Sequence, residues 1–169
     1  MTTESRNFGE AVLSKTPVPD EKLVELMKAA IGAHGKILRE SVQANGVDRH
    51  LLGLRLLAMG AMNSKQMDAA TLAPALQFFQ DKAFVDSSTW ELSTSNMTWT
   101  RTYDYPGFGA PTKPGYGVCY NITDAAVLMT VTANTESDKC PTRFAKNIVW
   151  ACDTMLRLAA SARKAAAKL

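Results

Sequence analysis

The spacing of apolar residues changes twice along this chain and divides it into helical and extended stretches. After the prolines of "KTPVPD", residues Leu23, Leu26, Met27, Ala30 and Ile31 recur every three or four positions. That period predicts a helix, with Asp20 as its N-cap and Gly46 as its C-terminal stop. Val47 to Met62, "VDRHLLGLRLLAMGAM", is apolar nearly all round and predicts a helix buried on most sides. "DAATLAPALQFFQDKAF" is mixed, a short helix or a loop interrupted at Pro74. The period then drops to two. "TWELSTSN" reads as a strand, residues 97–114 hold prolines and glycines and read as loop, and "YGVCYNI" and "AAVLMTVTAN" read as two more strands. From Thr142 to Ala162 the helical period returns, with Phe144, Ile148, Ala151, Met155 and Leu158 on one stripe. The following "ARKAAAKL" is an alanine-rich basic tail expected to fray. Helices, then strands, then a helix predict an α+β fold, a mixed sheet flanked by helices, with no internal repeat.

Composition narrows this picture only a little. At 169 residues, 46% hydrophobic and 21% charged, the chain fits one ordinary globular domain. We expect that domain over 1–162, followed by a tail over 163–169. The net charge of +3 is not gathered into a basic patch, so nucleic acid is not an expected partner. Apolar runs such as "AAVLMTV" are far shorter than the roughly 20 residues of a membrane span, and the first residues do not resemble a secretory signal. Three widely spaced cysteines, Cys119, Cys140 and Cys152, suggest neither a disulfide framework nor a zinc site and read as buried free thiols.

Two short stretches could carry chemistry. Asp48, Arg49 and His50 open the apolar helix at Val47. Asp48 could cap it and Arg49 snorkel to the surface, or Arg49 could offer its planar fork to a carboxylate. A metal site at His50 is not expected, because His34 is the only other histidine and no acidic cluster accompanies them. The second stretch is the hydroxyl run Ser93, Thr94 and Ser95. It fits a solvated strand edge, yet alternation puts Ser93 and Ser95 on one face about 7 Å apart, able to hold a polar ligand, with Thr94 turned away. "PGFGAPTKPGYGVCYN" lacks the lysine and following helix of a phosphate loop. Its glycines at 107, 109, 115 and 117 would allow close backbone approach.

"DRHLLGLRL", "ELSTSN" and "GFGAPTKPGYGVCYN", in this order and spacing, resemble the C-terminal part of the choline/carnitine acyltransferase family. "TTESRNFGEAV" looks like the stretch after that family's Arg-Thr-Glu-Thr motif, and "RFAKNIVWACDTML" like its final helix. The resemblance implies the C-terminal part of a chloramphenicol-acetyltransferase-like domain that moves an acyl group between coenzyme A and the carnitine hydroxyl. Arg49 matches the arginine that pairs with the carnitine carboxylate and that choline-specific members lack. Ser93 matches the serine that helps hold that carboxylate, and Ser95 the donor to the oxyanion of acyl transfer. Phe108 matches the aromatic residue of the trimethylammonium site. Asn96 stands where the family usually has glutamine, beside coenzyme A.

The same resemblance covers roughly the last quarter of the family's length. The general-base histidine, the lysines for the coenzyme A phosphate and the Arg-Thr-Glu-Thr motif would lie upstream, and neither His34 nor His50 matches the catalytic position. The expectation is a carnitine acyltransferase portion that is inactive alone, its site completed by the missing N-terminal half or another chain. Carnitine and acyl-CoA are the implied ligands, coenzyme A acting as co-substrate with no tightly bound cofactor. The alternatives are a non-catalytic domain that binds carnitine or a partner, and a structural fragment with relic motifs. The gap from Ser95 to Phe108 leans toward short or medium acyl chains, although "GFG" leans toward long ones. The final "AKL" is a variant of the Ser-Lys-Leu peroxisomal address, with Arg163 and Lys164 just upstream, and cytoplasm or mitochondrion as alternatives.

Overall fold

The chain folds as helices and a small sheet in the order α1 (Thr3–Val12), α2 (Asp20–Val42), α3 (Val47–Asn63), α4 (Ala69–Gln80), α5 (Lys82–Ser87), β1 (Leu92–Asn96), β2 (Tyr116–Ile122), β3 (Val127–Ala133) and α6 (Pro141–Ala166). This is the α+β class. The computed structural model describes residues 1–65, 67–97 and 105–166. The elements fall into two units. One comprises Met1–Leu76 with the chain from Ala151 onward, and the other Gln77–Trp150.

In the first unit α1 was not foreseen, although its signals are present. The Thr2 hydroxyl accepts from the Ser5 N–H at 3.0 Å and caps the helix, and Phe8, Ala11 and Val12 lie on one stripe. That stripe packs on Leu23 and Met27 of α2 and on Leu158 of α6, whose side chain is fully buried. Burial of each such side chain is worth about 1.5–3 kcal/mol, so these few residues dominate the stability of the cluster. Arg157 Nη1 donates to Asp20 Oδ2 at 2.6 Å and ties α6 to the start of α2.

The caps differ from expectation. Pro19, with no capping side chain, precedes α2, and Asp20 is its first residue, where a carboxylate favours the helix dipole. Gly46 does not stop α2. The helix ends at Val42, and Ala44 takes the left-handed conformation at φ 62°. Its N–H donates to Ser41 O, and that of Asn45 to Glu40 O, the two bonds of a Schellman motif. Gly46 instead precedes α3 in an extended conformation, and the Asp48 side chain makes no cap bond.

α3 contradicts the sequence more deeply. None of its residues is buried, and Leu56 and Leu57 are 60% and 72% exposed. The apolar pattern correctly marks a helix that favours cover on several sides, but these residues do not supply the cover. α4 is a helix that runs through Pro74 rather than a loop broken there.

In the second unit the three strands form one mixed sheet in the order β1-β2-β3. β1 and β2 are parallel, and β2 and β3 antiparallel. The hairpin between β2 and β3 is closed by Thr123, whose N–H donates to Ala126 O at 2.9 Å. Tyr116 stacks on Phe144, with ring centroids 4.2 Å apart and planes 13° apart, seating the start of α6 against the sheet. Phe78, Phe79 and Phe84 form a ring cluster between α4 and α5, with Phe79 edge-on to the other two. Of the cysteines only Cys119 is buried. Cys140 and Cys152 are free and exposed, so the expectation of three buried thiols fails for two of them. Cys140 precedes α6, where its sulfur accepts from the Arg143 N–H, and the helix continues to Ala166, beyond the expected end at Ala162.

Candidate functional site

Strand alternation sorts the hydroxyl run as expected. Ser93 and Ser95 are half-buried on one face of β1, while Leu92, Thr94 and Asn96 are exposed on the other. Register extends that face across the sheet. Ser93 pairs with Gly117 and Gly117 with Thr132, while Ser95 pairs with Cys119 and Cys119 with Thr130. Paired residues point to the same side, so the two serines share a face with Gly117, Cys119, Thr130 and Thr132. A hydroxyl on such a face is a donor or acceptor whose direction the sheet constrains.

The segment after the undescribed residues 98–104 lies over that face. Thr132 Oγ1 donates to Phe108 O at 2.7 Å. The Phe108 ring approaches Gly117 so closely that a Cβ there would meet its Cε2 at 3.1 Å, Phe108 O at 3.0 Å and Thr132 Oγ1 at 2.7 Å. A Cβ on Gly107 would meet Thr130 Cγ2 at 3.1 Å. Of the four glycines read as points of close approach, 107 and 117 admit this segment. Gly115 admits the Glu91 carbonyl, which accepts from the Tyr116 N–H at 2.7 Å, and Gly109 meets nothing nearby. The close approaches are made by the chain itself. Ser93, Ser95 and Phe108 are thus brought to one face of one sheet. Asn96 ends β1 on the opposite face.

Arg49 belongs to the first unit, in the first turn of α3, and is exposed. Among the described residues of that unit no carboxylate pairs with it, so its guanidinium fork is open to a ligand. His50 follows it, also exposed. His34 lines an apolar groove of about 310 Å³ with Phe8, Met27, Ile31 and Met155. Neither histidine is paired with a carboxylate among the described residues of its unit, as an oriented catalytic base commonly is. Among the described residues no group of three or more His, Cys, Asp or Glu could hold a metal ion, and no helix is long and apolar enough to cross a membrane.

Among the described residues, Asp68 of the first unit has a displaced carboxyl. The Thr71 hydroxyl and backbone N–H both donate to Asp68 and hold its carboxyl below the ordinary 3.8. Sequence reading missed Thr132 as a support for Phe108, because a contact spanning 24 residues leaves no periodic trace. The glycine at 117 was the only hint that something packs closely there.

Residues 1–150 match the Choline/Carnitine o-acyltransferase family. Over 162 residues, 95% of this chain and 24% of the relative, the sequence is 30% identical to the carnitine O-acetyltransferase of Columba livia. It is 32% identical over 133 residues to a putative mitochondrial carnitine O-acetyltransferase of Saccharomyces cerevisiae, covering 79% of this chain and 18% of the relative. To the choline O-acetyltransferase of Drosophila melanogaster it is 27% identical over 153 residues, 90% of this chain and 19% of the relative. The chain therefore spans less than a quarter of the length of these curated relatives.

Proposed function

This chain belongs to the choline/carnitine O-acyltransferase family, and from that premise we propose that it supplies the C-terminal part of a carnitine O-acyltransferase site. The observation that carries the reading is the gathering of Ser93, Ser95 and the Phe108 segment on one half-buried face of the β1-β2-β3 sheet. In the proposed reaction a base removes the carnitine hydroxyl proton and the oxygen attacks the acyl-CoA thioester carbonyl. The C–S bond then breaks, and the proton passes to the departing thiolate. Ser95 donates to the oxyanion that forms on the carbonyl oxygen, a contribution commonly worth ~10²-fold or more in rate. By their places in the motifs, Ser93 and Arg49 are each assigned to the carnitine carboxylate, and Phe108 offers its ring to the trimethylammonium group. Asn96 is assigned to coenzyme A by its place in the motif.

Relatives of this chain act on carnitine or on choline, and Arg49 favours carnitine because choline has no carboxylate for the guanidinium to pair with. Neither His34 nor His50 has the partners of a general base, so these 169 residues are proposed to be inactive by themselves, the base coming from an upstream half or another chain. The lack of a carboxylate partner for either histidine among the described residues of its unit also favours the second reading, a domain that binds carnitine without turnover. Short or medium acyl chains are the proposed substrates. The peroxisome is the proposed location from "AKL", whose residues lie outside the described ones, with the cytoplasm or the mitochondrion as alternatives, the latter in keeping with the name of the yeast relative.

Calorimetry with L-carnitine and choline tests the site. Carnitine should bind more tightly than choline, and Arg49→Gln should weaken carnitine by about tenfold or more, the scale of a lost charge-assisted bond, while leaving choline unchanged. Equal affinities for the two would refute the Arg49 assignment. Thiol release from acetyl-CoA with L-carnitine should be absent, and clear turnover would overturn the claim of inactivity. A fluorescent reporter carrying the last residues should reach peroxisomes and lose them when Leu169 is removed.

A further inference from the structure

Resting on the reading of Phe108 as the ring that meets a quaternary ammonium group, we infer that Thr132 is the positioning residue that sets where that ring stands. One rung of the sheet carries the whole arrangement. Ser93, Gly117 and Thr132 are successive partners across β1, β2 and β3, so all three point to the same side. Gly117 leaves a gap in the middle of that rung, and the Phe108 carbonyl and ring approach to 3.0 and 3.1 Å of where a Cβ would stand, closer than Cβ atoms ordinarily meet a neighbour. On one side of the gap stands the Thr132 hydroxyl, donating to Phe108 O at 2.7 Å, with Gly117 O also within its reach at 3.3 Å. On the other stands Ser93. The preceding residue, Gly107, lies against the methyl group of Thr130, two residues before Thr132 on the same strand and face.

The backbone of residues 107–108 is thereby fastened to β3 by a methyl contact and a hydroxyl donor. The serine proposed to hold the carboxylate and the ring proposed to hold the ammonium are thus referred to one rung. A substrate with an anionic and a quaternary cationic end, spaced by a few bonds, is the ligand for which a fixed separation of the two groups matters. Choline, with the cation alone, needs the ring but not the spacing.

The test uses this 169-residue protein with glycine-selective labelling, Thr132→Val and Thr132→Ser variants, and L-carnitine and choline as probes. The Gly117 Hα signals should be displaced by the ring current of Phe108 in the parent protein. Thr132→Val, of nearly equal volume but without the donor, should lose most of that displacement and bind L-carnitine about three- to tenfold more weakly, the effect of one lost hydrogen bond. Thr132→Ser keeps the hydroxyl and should restore both. Retention of the displacement in Thr132→Val, or failure of Thr132→Ser to restore it, overturns the inference. If the parent protein shows the ring-current displacement but binds neither probe, the carnitine reading falls, and the role of Thr132 is judged on the Gly117 signals alone.

Discussion

Single residues show where this fold carries local cost and local gain. Ala44 closes α2 in a left-handed conformation that disfavours any side chain, and the hydrogen bonds donated by Ala44 and Asn45 hold that geometry. Replacing it with glycine should stabilise the protein by about 1 kcal/mol in denaturant unfolding, because glycine adopts this conformation without strain. A loss of stability would show that unfolded-chain entropy outweighs the strain. Asp68 gives a pH signature of known sign. Its folded carboxyl is held below 3.8 by the two Thr71 donors, so the unfolded chain takes up the proton more readily. The stability it contributes is therefore present above about pH 3.8 and lost as pH falls toward and through the lower folded value. Thermal melts should place the parent above Asp68→Ala at pH 6, with the gap closing below pH 4. At this scale the sequence was a good guide to type and a poor one to position. Asp20 and Gly46 were recognised as helix-end residues, but which end and which neighbour depended on the backbone of Pro19 and Ala44.

Whole elements were more legible where one period persists. β2 and the core of β3 stood out because Val, Tyr and Thr recur between turn residues, and β1 because period two separates Ser93 and Ser95 from Thr94. α1 was not read as a helix, though Thr2 and the Phe8 stripe announce it. α3 shows the limit of the method. Hydrophobicity reports that a surface is better covered, not what covers it, and its leucines stand exposed here. Such a surface should associate. Sedimentation of the protein should show concentration-dependent self-association, and Leu56→Glu with Leu57→Glu should shift it toward monomer. A parent that stays monomeric at all concentrations would mean the α3 surface is tolerated in water as it stands.

For the molecule as a whole, the family was legible because three motifs occur in register. The division of labour proposed for the site was legible only in part, since the chain spans less than a quarter of the length of its relatives. If the base comes from elsewhere, mixing this protein with a chain covering the remaining length of a family member should restore acyl transfer, and Ser95→Ala should lower the restored rate ~10²-fold with little change in carnitine affinity. A restored rate indifferent to Ser95→Ala would remove that residue from the oxyanion role. α6 has a different consequence, which concerns synthesis. Its Leu158 completes the cluster begun by Leu23 and Met27, its Arg157 pairs with Asp20 across 137 residues, and its Phe144 covers Tyr116. A ribosome adding about 5–20 residues per second needs on the order of ten seconds between the two members of that ion pair. Throughout that interval the seat formed by Leu23 and Met27 stands without Leu158, so completion of that cluster waits for α6, and protection of the growing chain falls to chaperones.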